Sequence, residues 1–345
     1  MVPGATQLAR GESLLWLPPA DQTGVINGFS IRAHDGLDTS ATAVPAPIEV
    51  KDWGFPIVQN FNVAGLTSWV VTPSTGGPAV TANALQLTTT TANKTGSAIY
   101  NVAFPSIQSA PLEFGFDYFG PTTTGTEGLS FFLLDGSVTS PGAGGDGGAL
   151  GYAYSAATNT IPGVTKAFMG VGFSRGGNFL NNASFHDGIA NTNTPDQVAL
   201  RGPATNSSSV KTSKEYDYVL NSAKAFTVAA AVATAPRKVK LTLTTEGKIT
   251  LLANTGASGA TAAIYDGFDF INSAAFAGYP VPPTFKFGFA ATTGAASGQA
   301  HNIDNIVAGP PADLEVAFTA APSGSPAPGS ALSYEVTVTN NGPNG

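Results

Sequence analysis

The chain has 345 residues, a formal charge of −7, no cysteine, and only 11% charged residues. Without cysteine, disulfides, Cys-ligated zinc, iron–sulfur clusters and thiol catalysis are excluded. Fifteen Lys and Arg scattered without a run leave no basic footprint for nucleic acid or for an anionic membrane surface.

The opening MVPGATQLARGESLLWL has no charged region followed by a long apolar core, so no signal peptide is expected. No stretch approaches ~18 continuous apolar residues, so no membrane insertion is expected. Residues 1–48 hold Ser13-Leu-Leu-Trp-Leu-Pro-Pro-Ala-Asp-Gln-Thr-Gly24 and Phe29-Ser-Ile-Arg-Ala-His-Asp-Gly36, and close on a Pro-rich seam, Val44-Pro-Ala-Pro-Ile48. Such seams are stiff and extended, and a linker is expected there.

From 49 to 308, period-2 alternation predicts strands. It is clearest at Leu85-Gln-Leu-Thr, Leu112-Glu-Phe-Gly-Phe-Asp-Tyr-Phe, Val239-Lys-Leu-Thr-Leu-Thr and Phe285-Lys-Phe-Gly-Phe-Ala. Gly, Pro, Asn and Thr clusters separate these runs. The Ala-rich stretch from Ala223 to Ala235, interrupted by Val, Thr and Phe, also reads as strand. A second seam, Gly309-Pro-Pro-Ala312, opens a C-terminal piece, 309–345. Helical periodicity is nearly absent, so the expected class is all-β, with two packed sheets sharing one core. Phe131, Phe132, Phe173, Phe287 and Phe289 fall in strand alternation and are expected in that core. Trp53 and Trp69 fall near strand ends, where core or rim packing is expected.

Catalytic patterns are missing. Glycoside hydrolysis needs paired carboxylates, whereas Asp117, Asp135, Asp266 and Asp269 are isolated; Asp266-Gly-Phe-Asp269 reads as turn acids. His34, His186 and His301 stand in no metal-binding or hydrolytic frame. No Gly-x-Ser-x-Gly elbow occurs. The chain is expected to be non-enzymatic.

A series of segments in fixed order carries a resemblance over roughly 250 residues. It runs Asn60-Phe-Asn, Gly65-Leu-Thr-Ser-Trp69, Gly96-Ser-Ala-Ile-Tyr100, Phe114-Gly-Phe-Asp-Tyr118 and Glu127-Gly-Leu-Ser-Phe-Phe-Leu-Leu-Asp-Gly136. It continues through Gly147-Gly-Ala-Leu-Gly-Tyr152, Ala167-Phe-Met-Gly-Val-Gly-Phe-Ser-Arg-Gly-Gly-Asn-Phe179 and Val198-Ala-Leu-Arg-Gly-Pro203. It closes on Lys286-Phe-Gly-Phe-Ala-Ala-Thr-Thr-Gly294 and His301-Asn-Ile-Asp-Asn-Ile306. Together these resemble the L-type (legume-like) lectin family, bacterial members especially.

The resemblance implies a concanavalin-like jelly-roll sandwich with a flat six-stranded back sheet and a curved seven-stranded front sheet. It implies a sugar site in which Glu127, where Asp is usual, accepts hydrogen bonds from sugar hydroxyls. The loop from Pro141 to Gly148 would donate N–H groups, through Gly147 and Gly148, and Asn178 would bind both sugar and calcium. The chain departs from the family pattern at Gly172 and Ser174, where metal-binding members keep two acids, and at Gly176, often an aromatic that stacks on sugar. Asn182 stands where a later calcium-ligand acid is usual. Phe179 is the candidate to replace the aromatic platform, and Asp146 to supply a carboxylate. The expected metal set is thus Asn178 and Asn182 with calcium, the usual acidic ligand being replaced by Ser174.

The two ends resemble parts of other β-domains. The N-terminal segments are similar to the last strands of a cadherin-like repeat of large bacterial surface proteins. Ala312-Asp-Leu-Glu-Val with Pro328-Gly-Ser-Ala-Leu-Ser-Tyr-Glu-Val-Thr-Val-Thr-Asn-Asn-Gly-Pro343 is similar to the start of an Ig-like bacterial surface repeat. These imply partial Ig-like β segments flanking the sandwich. The chain would be a piece of a longer adhesin, or its ends would complement each other or an identical subunit through open strand edges, or the ends would be disordered. The function implied is an extracellular or cell-surface adhesion module binding glycans or cell-surface polysaccharide. The alternative is a spacer or filament subunit with a degenerate sugar site.

Overall fold

A computed structural model describes residues 24–32, 40–50, 54–62, 65–73, 77–120, 127–155, 161–180, 194–204, 215–222, 226, 231–254, 261–295, 298–311, 314–320 and 335–340. The chain divides into two compact units, Met1–Gly54 and Phe55–Gly345. In the first, β1 (Gly24–Ile31) and β2 (Val44–Val50) form an antiparallel two-stranded sheet. The Pro-rich seam expected as a linker is therefore strand. Pro45 and Pro47 have no N–H for a ladder, which β2 tolerates because it pairs on one side only among the described residues.

The second unit runs β3 (Ile57–Gln59), β4 (Trp69–Thr72), β5 (Ala79–Thr81), β6 (Ala84–Thr88), β7 (Thr95–Pro105), β8 (Leu112–Phe119) and β9 (Glu127–Asp135). A 3₁₀ turn at Gly147–Ala149, β10 (Ala167–Ser174) and a second 3₁₀ turn at Asn178–Leu180 follow. Then come β11 (Gln197–Arg201), β12 (Tyr218–Asn221), β13 (Arg237–Leu243), β14 (Lys248–Asn254) and β15 (Thr261–Asp269). After a third 3₁₀ turn at Ala274–Phe276, β16 (Thr284–Thr293) and β17 (His301–Gly309) complete the sandwich. β18 (Leu314–Ala320) and β19 (Glu335–Asn340) form a separate two-stranded sheet. Among the described residues there is no α-helix, hence none long and apolar enough to cross a membrane. Most of Ala223 to Ala235, read as strand, lies outside the described residues; its described part holds only an isolated bridge, Val232 to Ala235.

Two antiparallel sheets form the jelly-roll sandwich. The front sheet has seven strands in the order β12-β11-β10-β9-β16-β7-β4. The back sheet has eight, not the six implied: β15-β14-β13-β8-β17-β6-β5, with β3 also on β17. The extra strands are short. β3 pairs with Ile306–Ala308 and β6 with His301–Ile303, so two strands share one edge of β17.

The burial pattern explains which strands alternate and which do not. β13 alternates buried and exposed because one face meets the core and the other meets water. β9 and β10 are buried along nearly their whole length, because both faces are covered. Leu129, Phe131 and Leu133 point into the main core between the sheets, and Phe132 and Leu134 into a second core. That second core is capped by loop residues including Leu150, Tyr152, Tyr154 and Val164. Phe131, Phe173, Phe287 and Phe289 lie in the main core as expected, whereas Phe132, adjacent to Phe131 and so on the opposite face, lies in the second core. Trp69 is buried in the main core; Trp53 lies outside the described residues.

The core also holds a titratable group. His301 is fully buried, with Nδ1 2.7 Å from the Tyr118 hydroxyl. Burial, reinforced by the Arg175 charge, pushes the His301 pKa down to about 3. In the unfolded chain the ring takes a proton near pH 6.5, so below that pH only the unfolded state gains it. Stability is therefore full above pH 6.5 and falls as pH drops toward 3, by up to about 1.4 kcal/mol per pH unit. Urea unfolding is expected to lose roughly 2 kcal/mol between about pH 7 and 5. His301→Gln should flatten that slope, separating it from the contribution of the carboxyls; an equal slope in the variant would refute the assignment.

Candidate functional site

Glu127 opens β9, and β10 ends at Ser174, paired with Gly128. The chain then turns back over the start of β9. The N–H groups of Arg175 and Gly176 both donate to the Glu127 carbonyl, at 2.7 and 3.2 Å. Glu127 itself is held at φ +74°, a left-handed conformation that a residue with a Cβ keeps only where its surroundings over-determine it.

The turn Asn178–Leu180 brings the Asn178 side chain onto this acid. Its Nδ2 donates to both carboxylate oxygens of Glu127, at 3.1 Å each. Burial raises the Glu127 carboxyl above its ordinary pKa, and the Asn178 hydrogen bond pulls against that rise. Gly176 borders the pair: a Cβ there would lie 3.3 Å from the Glu127 nitrogen and 3.5 Å from Asn178 Nδ2. An aromatic at 176 would crowd this clasp.

The third segment is the Gly-rich loop. Gly144 and Gly145 donate to the carbonyls of Gly151 and Ala153, both at 2.6 Å, and Gly151 donates back to Gly145 at 2.8 Å. Ser155 Oγ donates to Asp146 Oδ1 at 2.6 Å, so Asp146 braces its own loop. Thr292, paired with Gly128, donates through Oγ1 to the Gly147 carbonyl at 2.6 Å. The turn Gly147–Ala149 thereby sits beside the start of β9 and packs on the Asn178 turn. The N–H groups of Gly147 and Gly148 begin a 3₁₀ turn and have no acceptor within it, nor any among the described residues. Glu127, Gly147, Gly148 and Asn178 are thus brought together as a set.

Phe179 does not join them at the surface. It is fully buried in the second core. Its ring fills the space over Gly172, where an added Cβ would lie 2.2 Å from Phe179 Cδ1. Tyr152 meets the ring edge-on at 6.4 Å between centroids. The expectation that Phe179 supplies a stacking platform for sugar is corrected on this ground: the ring has no face toward solvent.

The metal set also fares differently from expectation. Ser174 Oγ accepts the Phe179 N–H at 3.3 Å, so it caps the turn. Asn182 lies outside the described residues. Among the described residues no three His, Asp or Glu side chains gather to hold a metal ion. Calcium takes six to eight hard oxygens, usually including carboxylates. Here the acid positions at 172 and 174 hold a glycine roofed by a phenyl ring and a serine engaged in a cap. The described residues do not fit calcium.

One contributor escaped the sequence reading. Arg201, at the end of β11, is fully buried. Its Nε donates to the Phe179 carbonyl at 2.9 Å and its Nη1 to the Tyr216 carbonyl at 2.8 Å. Its guanidinium carbon lies 5.2 Å from the Phe179 ring centroid. The available signal was a lone cation in the otherwise apolar run Val198-Ala-Leu-Arg201, since an Arg is almost never fully buried without partners.

No family model matches the chain, and no curated protein matches it. Solved structures do. Peanut lectin with a nine-residue peptide superposes with TM-score 0.50 at 18% identity, over 73% of this chain and 95% of that one. Lectin I-B4 from Griffonia simplicifolia, in its metal-free form, gives TM-score 0.48 at 16% identity, over 72% and 96%. The exoplasmic/lumenal domain of VIP36, in its Ca2+/Man2-bound form, gives 0.48 at 11%, over 73% and 86%. The peanut lectin match, with the sheet order, places the sandwich in the L-type lectin fold.

Proposed function

We propose that the chain is a non-catalytic, extracellular or cell-surface adhesion module whose sandwich, at about residues 49–308, binds a neutral sugar at the Glu127–Asn178 clasp. The observation that carries this reading is the clasp itself, set beside two N–H groups with no acceptor among the described residues. A neutral polyol is recognised by convergent donors and acceptors. Glu127 is acceptor-only when ionised and retains lone pairs beyond the two engaged by Asn178. The N–H groups of Gly147 and Gly148 supply donors. The clasp pre-orients the acid, which limits the ordering cost of binding. Reaction chemistry has less support: Asp117 pairs with Lys238 at 3.3 Å, and Asp269 accepts from the Asn272 side chain at 2.8 Å. The low charge of the chain and its strand-rich, turn-rich composition suit an extracellular setting.

A glycan array probed with the purified chain tests the reading. The wild type is expected to bind a defined glycan class. Asn178→Ala, which frees the Glu127 carboxylate to swing, should weaken that binding by roughly 10–100-fold, the equivalent of one or two hydrogen bonds to a charged group. Binding to no glycan, or equal binding by the variant, would sink it.

A further inference from the structure

We propose that Phe179 and Arg201 fix the Asn178 turn in place of a metal ion, so that the site assembles without calcium or a transition metal. The placement of the turn stands on geometry alone; that it serves glycan binding rests on the carbohydrate-binding function proposed for the site.

Every part of residue 179 is engaged. Its N–H donates to Ser174 Oγ at 3.3 Å, its carbonyl accepts from Arg201 Nε at 2.9 Å, and its ring is seated over Gly172. Asn178 is the next residue, so its side chain is aimed at Glu127 by a backbone held on both sides. In a metal-dependent loop an ion does this by drawing carboxylates and an Asn carbonyl around itself. Here the two positions that would carry the carboxylates are spent on the alternative. A side chain at 172 has no room under the phenyl ring, and position 174 carries a neutral hydroxyl that accepts the Phe179 N–H.

The Arg201 guanidinium is fully buried with its carbon 5.2 Å from the Phe179 ring centroid. Its Nε and Nη1 hold the carbonyls of Phe179 and Tyr216, so a protein cation supplies the contact that fixes the backbone of the turn. A ring over a glycine, a serine cap and a buried guanidinium therefore form one consistent device, and among the described residues it places the turn without a carboxylate-bound ion.

The test uses the purified full chain. Its thermal melting is followed with a chelator and with calcium or manganese added. A site that captured an ion at about a hundred times its dissociation constant would raise the melting temperature by roughly 5–10 °C. No shift is expected; an ion-dependent rise that the chelator reverses overturns the proposal. Hydrogen exchange then reads the turn directly. Phe179→Leu, which keeps an apolar side chain and removes the ring, should exchange faster by tenfold or more at Asn178–Leu180 while β14 stays protected. Unchanged exchange at the turn overturns the role of the ring. Any glycan captured by the wild type should stay bound in chelator, and its release by chelator counts against the proposal. A chain that binds no glycan and shows no ion-dependent shift upholds the metal-free turn and refutes the carbohydrate reading.

Discussion

Phe287→Ala is expected to cost the sandwich about 3–5 kcal/mol, the usual range for removing a buried phenylalanine. Phe287 lies on β16 between β9 and β7, and its side chain points into the space between the sheets. Its ring stacks on Tyr100 at 5.3 Å and meets Trp69 edge-on at 5.5 Å between centroids. Phe114 on the back sheet lies 5.7 Å away, Phe104 6.0 Å, and Phe131 on the neighbouring strand 6.3 Å. The ring thus joins the front sheet to the back sheet, and the residues around it are themselves locked by further rings. Partial collapse into the vacated space is hindered, which places the cost in the upper part of the range. For a domain of this size it corresponds to a fall in melting temperature of roughly 6–20 °C. Chemical denaturation should show a lower midpoint at unchanged slope. A loss below about 1 kcal/mol would mean that the core repacks freely, against the interlocked ring geometry.

The same packing logic decides what the sequence could disclose. β8 and β13 were legible because at least part of each strand has one face less buried than the other, and β16, buried on both faces, because phenylalanines alternate with small or polar residues. β9 was legible from the segment Glu127–Gly136 of the family resemblance; its run Leu129-Ser-Phe-Phe-Leu-Leu134, interrupted only by Ser130, fits a strand covered on both sides. What covers the second side is not local. It is a layer of loop residues, Leu150 to Tyr154 among them, whose return onto the sheet depends on turns that composition does not encode. The seam at 44–48 was misread because prolines signal a linker when seen alone; only the presence of β1 alongside makes them a strand.

At the site, the residue types were legible and one direction was not. Glu127, the glycine loop and Asn178 could be named from motif order, and the structure brings them to one place. Whether Phe179 faces water or core is decided by Gly172, on the strand before the turn. A glycine within a strand often marks close approach by another group, and Gly170 and Gly172 both do: an added Cβ would meet the Tyr152 ring at 2.6 Å in the first case and the Phe179 ring at 2.2 Å in the second. Two alternate glycines on one strand face therefore announced that the face is roofed by aromatic rings. The glycine at 172 and the buried ring at 179 are one packing unit rather than two separate features.

Arg201→Met tests the other half of that roof, and it is expected to destabilise the chain by roughly 2–6 kcal/mol, since each of two buried carbonyls left without a donor costs about 1–3 kcal/mol. The substitution keeps a long, flexible side chain and removes the charge and the donors. Two effects compete. Burying a guanidinium carries a desolvation penalty, and replacing whole buried ionic groups by apolar ones is sometimes neutral or favourable. That outcome requires both partners to be replaced. Here the Phe179 and Tyr216 carbonyls stay, and Glu215 and Asp217, which flank Tyr216, are buried carboxylates. Removing the cation leaves their charge less compensated, so the penalty should win. Arg201→Lys should restore less than half of the loss, because one ammonium cannot reproduce a planar fork that reaches two carbonyls in different segments. Urea unfolding measures both variants. Hydrogen exchange at Asn178–Leu180 locates the damage, which should exceed that in the back sheet. A methionine variant as stable as the wild type would show that the guanidinium is dispensable and would refute the claim that a protein cation holds the Asn178 turn.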